Sequence, residues 1–80
     1  MLSDLNQENK VVGTKQTRRA LNDARARKIF VAADADPRVT DPLVQLAKEK
    51  NVSMEEVPTM KELGSACGIS VGCAVAATVQ

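Results

Sequence analysis

The residues best suited to chemistry run consecutively: Gly13, Thr14, Lys15, Gln16, Thr17, Arg18, Arg19, Ala20 and Leu21. A turn glycine precedes a hydroxyl, and either Gly13 or Thr14 can cap the helix that follows. Three cations and an amide fill that helix's first two turns. At about 100° per residue, Thr17, Ala20, Leu21 and Ala24 fall on one side, where a core would sit. Lys15, Arg18, Arg19 and Asn22 fall on the opposite side, with Gln16 on the flank. A helix start already carries unpaired N–H groups and a partial positive charge. Cations added there favour phosphate or another anion. The ordinary alternative is a basic outer face that is only solvated.

Two other groupings have reactive side chains. Asp34 and Asp36 stand two residues apart at the end of a strand, where they could form an acid/base pair or hold a metal. With no histidine, no nearby third acidic ligand and no obvious nucleophile, the favoured reading is structural: both accept backbone N–H bonds in a turn and cap the next segment. Cys67 and Cys73 are too few for a structural zinc site, and they are not in a Cys-x-x-Cys motif. Their spacing leaves a disulfide open, although two small buried thiols of a cytosolic protein are favoured. We therefore expect no catalytic residue, no metal and no cofactor.

The elements that must position these groups follow from periodicity and turn signals. Residues 1–9 are polar and suit a short helix, pinned by Leu2 and Leu5. Lys10-Val11-Val12 reads as a strand running into Gly13, and the basic helix should extend to about Ala24. Lys28-Ile29-Phe30-Val31-Ala32-Ala33 is apolar without alternation, as a central strand buried on both faces would be. Thr40-Asp41-Pro42 opens a second long helix, with Asp41 as cap and Val39, Leu43, Leu46 and Ala47 as its buried stripe. Asn51 stops it. Val52–Val57 reads as a strand ended by Pro58. Thr59 and Glu62 form a capping box for a short helix with Leu63 and Ala66 facing inward. Ile69-Ser70-Val71-Gly72 is a loop, and Cys73–Val79 a last strand of small apolar residues. The order α-β-α-β-α-β-α-β predicts an α/β fold, a three-layer α/β/α sandwich around a four-stranded mixed sheet.

Composition narrows the function. Eighty residues make one domain, which buries only about 60–65% of its unfolded surface. Apolar content of 44% with 26% charged residues suits a globular chain. Phe30 is the only aromatic residue, which argues against binding single strands by base stacking. The net charge of +1 is unevenly placed: residues 1–28 carry an excess of four cations, the rest an excess of three anions. A basic end on a near-neutral chain points to a polyanion partner. No segment has a signal-peptide pattern or the length of a membrane helix, so a cytoplasmic protein without a membrane partner is expected.

Three stretches carry a family resemblance in order and register: Gly13-Thr14-Lys15-Gln16-Thr17, Val31-Ala32-Ala33-Asp34-Ala35-Asp36-Pro37, and Met60-Lys61-Glu62-Leu63-Gly64-Ser65-Ala66-Cys67-Gly68-Ile69. From about Lys10 to Val79 the chain resembles the kink-turn-binding ribosomal proteins, the "L-seven-Ae" and "L-thirty-e" superfamily, and most of all its small bacterial members. The resemblance implies an α/β/α sandwich and a non-enzymatic, monomeric protein. Its partner would be structured RNA, ribosomal RNA or a riboswitch, with no DNA expected. The implied target is a duplex bent at a bulge followed by tandem sheared G·A pairs.

By position, Gly13 and Thr14 would start the recognition helix, and Lys15, Gln16 and Arg19 would approach the sheared guanines. Arg18, Asn22 and Lys61 would contact phosphates. Ile69, Ser70, Val71 and Gly72 match a loop that covers an unstacked bulge nucleotide. Many archaeal and eukaryotic members have Asn-Glu where this chain has Lys15-Gln16, which removes one carboxylate acceptor; the bacterial members share the Lys-Gln form. Read from the residues alone, Ile69 and Val71 could equally be core, and Lys61 a solvated charge. A protein-interaction adaptor on the same fold is the rival function, and it would need an exposed apolar patch.

Overall fold

A computed structural model of the chain describes residues 9–79. The helix expected at the N-terminus, with Leu2 and Leu5, falls outside them. The described elements are β1 (Lys10–Val12), α1 (Thr14–Asn22), β2 (Ala26–Ala32), α2 (Pro37–Glu49), β3 (Ser53–Val57), α3 (Met60–Ala66) and β4 (Val75–Val79). The four strands form one sheet in the order β1-β4-β2-β3. Its β2–β3 pair is parallel, and both pairings of β4 are antiparallel, so the sheet is mixed as expected. The helix α2 supplies the crossover that a parallel pair requires.

The inner strands show why apolar runs without alternation belong in the middle. Successive side chains of a strand point to opposite faces. Ile29 and Val31 of β2, with Val75 and Ala77 of β4, pack under Leu21 of α1 and Leu43 and Ala47 of α2. Phe30, Ala32 and Ala76 point the other way, against Leu63 of α3 and the two cysteines. Both faces are thus covered, by α1 and α2 on one side and α3 on the other.

Several expected boundaries move, among them the start of β2, which lies at Ala26 and not at Lys28. The helix α2 begins at Pro37 and not at Asp41: the Asp36 carboxylate accepts from Arg38 N at 2.9 Å, and Pro37 occupies the first helical position. The chain carries the Asp-Pro start signal twice, five residues apart, and the earlier one is used. Pro42 then lies inside the helix. It removes the donor that would meet the Arg38 carbonyl, a loss that is tolerable because both residues are exposed to water. The buried stripe shifts accordingly. Thr40 joins Leu43 and Ala47, Leu46 is half-buried, and Val39 is 41% exposed.

The helix α1 ends at Asn22, and Ala24 leaves the core face with φ 57°, exposed in the turn to β2. The last strand starts at Val75, two residues later than expected, because Cys73 and Ala74 still belong to the preceding loop. Asn51 does end α2, in the left-handed conformation that suits asparagine after a helix. The Thr59 hydroxyl accepts from Glu62 N at 3.1 Å, capping α3.

Candidate nucleic-acid interface

The start of α1, the turn after β2, the start of α3 and the loop ahead of β4 lie at one end of the sheet, and α1 carries its cations back from there toward the other end. Gly13 caps α1 with φ 98° and ψ 162°, a region populated essentially by glycine that costs a residue with a Cβ about 1–3 kcal/mol. Its N–H donates to the Val75 carbonyl at 2.9 Å, which fixes the start of α1 to the start of β4. The same carbonyl accepts from the Cys73 thiol at 2.9 Å. The loop ahead of β4 and the start of α1, some sixty residues apart in the chain, therefore share one acceptor.

A further set of bonds locks the loop and α3 together. Cys73 N donates to Met60 O at 3.0 Å, and Ile69 N to Gly64 O at 3.0 Å. Asp34 Oδ1 accepts from Met60 N at 2.8 Å, tying the turn after β2 to the start of α3. Asp34 and Asp36 are thus both occupied as acceptors of backbone N–H bonds. The Arg38 guanidinium, 2.8 Å from Asp36, holds that carboxyl below its ordinary pKa. Among the described residues, no group of three or more His, Cys, Asp or Glu side chains could hold a metal ion. Both cysteines are free and buried. Burial, reinforced by Cys73, pushes the Cys67 thiol up to about 11.

Along α1 the helical periodicity sorts the side chains as expected, except for Ala24. Thr17, Ala20 and Leu21 are buried. The Thr17 hydroxyl has no partner among the described residues. Lys15, Gln16, Arg18, Arg19 and Asn22 are exposed. They line an open depression of about 310 Å³, together with a residue that the sequence reading passed over, Asp23. The signal for it was available: Lys15, Arg19 and Asp23 are spaced i, i+4, i+8 and so form one row on the helix. Thr14 is half-buried beside Gly13 at the head of this row.

The remaining candidates lie outside that depression. Lys61 is exposed on the first turn of α3. In the loop, Ile69 is half-buried and packs against the core on the α3 side, whereas Val71 is 68% exposed. Ser70 and Gly72 are exposed. The basic end of the sequence is not all on this surface. Lys28 lies 2.8 Å from Glu55 across the β2–β3 pair and 5.3 Å from the Phe30 ring centroid. Its charge serves the sheet. Among the described residues, no helix is long and apolar enough to cross a membrane.

A sandwich that presents a glycine-led cationic helix and an apolar-tipped loop from one end of its sheet defines a small α/β domain suited to a polyanion. The chain belongs to the ribosomal protein L7Ae/L30e/S12e/Gadd45 family, whose model matches residues 2–80. It is 50% identical over 70 residues to an RNA-binding protein of Geobacillus sp. strain WCH70, covering 88% of this chain and 85% of that one. It is 41% identical over 68 residues to large ribosomal subunit protein eL8 of Halobacterium salinarum, covering 84% of this chain and 57% of the ribosomal protein. The solved 15.5 kD RNA binding protein of Giardia lamblia matches with a TM-score of 0.85 at 26% identity, over 99% of this chain and 65% of that one. This chain therefore spans less than two thirds of the latter two proteins. The family and these relatives carry the names of RNA-binding and ribosomal proteins, not of enzymes.

Proposed function

We propose that this chain binds RNA, as its named relatives do, and that its target is a kink-turn, in ribosomal RNA or a riboswitch. The whole of 1–80 would act as one binding domain, monomeric and cytoplasmic. The observation that carries the reading is the open depression on α1, where Lys15, Gln16, Arg18, Arg19 and Asn22 are all presented to solvent beside the glycine-capped helix start. Lys15 and Arg19 donate to guanine O6 and N7, and Gln16 both donates and accepts at a purine edge. Gly13, whose own N–H is held by the Val75 carbonyl, lets the backbone at the helix start come close to the RNA beside Thr14. Arg18, Asn22 and Lys61 hold phosphates, which sets position but not sequence. Val71 covers the bulge nucleotide, with Ile69, Ser70 and Gly72 shaping the loop that holds it.

Shape does the rest. An A-form major groove is too narrow to admit a helix, and a kinked duplex opens it. The protein then stabilises the bent form over the extended one, a population shift without catalysis. The adaptor reading is less well supported, because the exposed large apolar side chains among the described residues, Val39, Met54 and Val71, are dispersed along the chain, on α2, on β3 and in the loop ahead of β4.

The test is a titration of an end-labelled kink-turn duplex in the absence of divalent ions, following the end-to-end distance. Added protein shortens that distance for the kink-turn and leaves a matched duplex without the G·A pairs extended. Equal responses from both duplexes would reject the kink-turn. Binding also weakens as salt rises, in proportion to the phosphates neutralised. Arg18→Ala should lower the slope of log affinity against log salt by about one and weaken all kink-turns alike. An unchanged slope would remove Arg18 from the phosphate contacts.

A further inference from the structure

Asp23 is the residue of the α1 depression that neither the fold nor the proposed phosphate contacts explain. It is the C-cap of α1, and its N–H donates to Arg19 O at 2.9 Å. A carboxylate there faces the negative end of the helix dipole, the unfavourable end for an anion. Arg19 lies one turn back, at the spacing of a helical ion pair, but with the cation N-terminal to the anion, the weaker orientation. Among the described residues Asp23 makes no ion pair and no side-chain hydrogen bond. It is exposed, so it contributes nothing to the core.

Its surroundings limit what it can meet. Lys15, Arg18 and Arg19 around the depression are donors, and Gln16 and Asn22 can act either way. Asp23 is the one ionised acceptor among the lining residues. It lies about 12 Å along the helix from Lys15, at 1.5 Å per residue. A phosphate at that point would be repelled. In an opened major groove the groups a carboxylate can accept from are the exocyclic amines cytosine N4 and adenine N6, because the ribose 2′-hydroxyls lie on the minor-groove side.

We propose that Asp23 is a base-selecting residue of this surface, accepting a hydrogen bond from the exocyclic amine of a cytosine or adenine in the stem next to the tandem sheared pairs, where the kink still holds the major groove open. The inference rests on the kink-turn reading. In that arrangement Lys15, Gln16 and Arg19 engage the sheared pairs, while Asp23 tests the next part of the stem. A guanine or uracil presented at the same point offers only acceptors to the carboxylate and is disfavoured. The cations recognise the kink; the carboxylate chooses among kinked RNAs.

The experiment measures affinity for a panel of kink-turn RNAs whose three pairs beyond the G·A tandem are changed, one at a time, through the four Watson–Crick combinations. A duplex without the G·A pairs is included. The parent protein should prefer cytosine or adenine on one strand at one position by at least about fivefold. Asp23→Ala should level that preference to within experimental error while keeping selectivity for the kink-turn over the control duplex. If Asp23→Ala tightens binding to every RNA by the same factor and the parent's preference survives, the carboxylate is only a repulsive charge and the proposal is overturned. A parent without any base preference overturns it as well. A parent that does not distinguish the kink-turn from the control duplex sinks the kink-turn reading itself, and this inference with it.

Discussion

Replacing Lys15 and Arg19 together by alanine should lower affinity for a kink-turn RNA by at least about thirtyfold. Each side chain is assigned to a guanine edge, and losing one such contact costs about 1–3 kcal/mol, or roughly five- to 150-fold. The two residues are one helical turn apart on the same row, so their effects need not add. Neither change should disturb folding. Both side chains are exposed, and surface substitutions of this kind stay within about 0.5 kcal/mol. Thermal denaturation and RNA titration of the same preparations separate the two outcomes. Parental affinity in the double variant would mean that the depression on α1 is not where RNA binds.

Gly64→Ala should destabilise the protein, although it adds only one methyl group and places a better helix former inside a helix. Alanine normally improves a helix interior over glycine by about 1 kcal/mol. At Gly64, however, a Cβ would be driven into the Val71 carbonyl oxygen, with Gly72 Cα close behind. The obstacle is backbone and cannot rotate away. Overpacking of this sort costs about 1–3 kcal/mol. The strain falls on the loop, because Cys73 N–Met60 O and Ile69 N–Gly64 O hold that loop against α3. Val71 must move, and with it the apolar tip assigned to the bulge nucleotide. A lower denaturation midpoint, with weaker kink-turn binding at temperatures where the variant is still folded, is the expected result. A variant as stable as the parent would show that the loop can withdraw from α3 without cost.

These two positions differ in how far the sequence exposes them. Lys15 and Arg19 are legible because a 3.6-residue period separates them from Thr17, Ala20 and Leu21, and local geometry alone sets that separation. The same holds for β2, whose apolar run requires cover on both faces, and for the Thr59 cap of α3. Gly64 has no reason legible in the sequence, where it is one glycine within a short helix. Its actual reason is a carbonyl seven residues further on, brought close by the packing of a loop. The Asp36–Asp41 choice failed similarly. Both Asp-Pro pairs are competent starts, and the decision rests on whether Thr40 lies beneath the helix, which is a tertiary matter. Asp23 was overlooked because it was counted as one charge in a basic half, although its i+4 spacing from Arg19 already placed it on the cationic row.

Sequence alone determined what each segment is: an aliphatic two-sided strand, a cationic helix led by glycine, a capped short helix, and a loop ahead of the last strand. Those properties depend on residues within one or two turns of each other, where chain connectivity fixes the geometry. Only the tertiary structure decided what stands beside what. Strand order put β4 between β1 and β2, and the Val75 carbonyl then joined the start of α1 to the loop ahead of β4. Contacts of that kind arise from burying two faces of one sheet at once, a condition that no local pattern encodes.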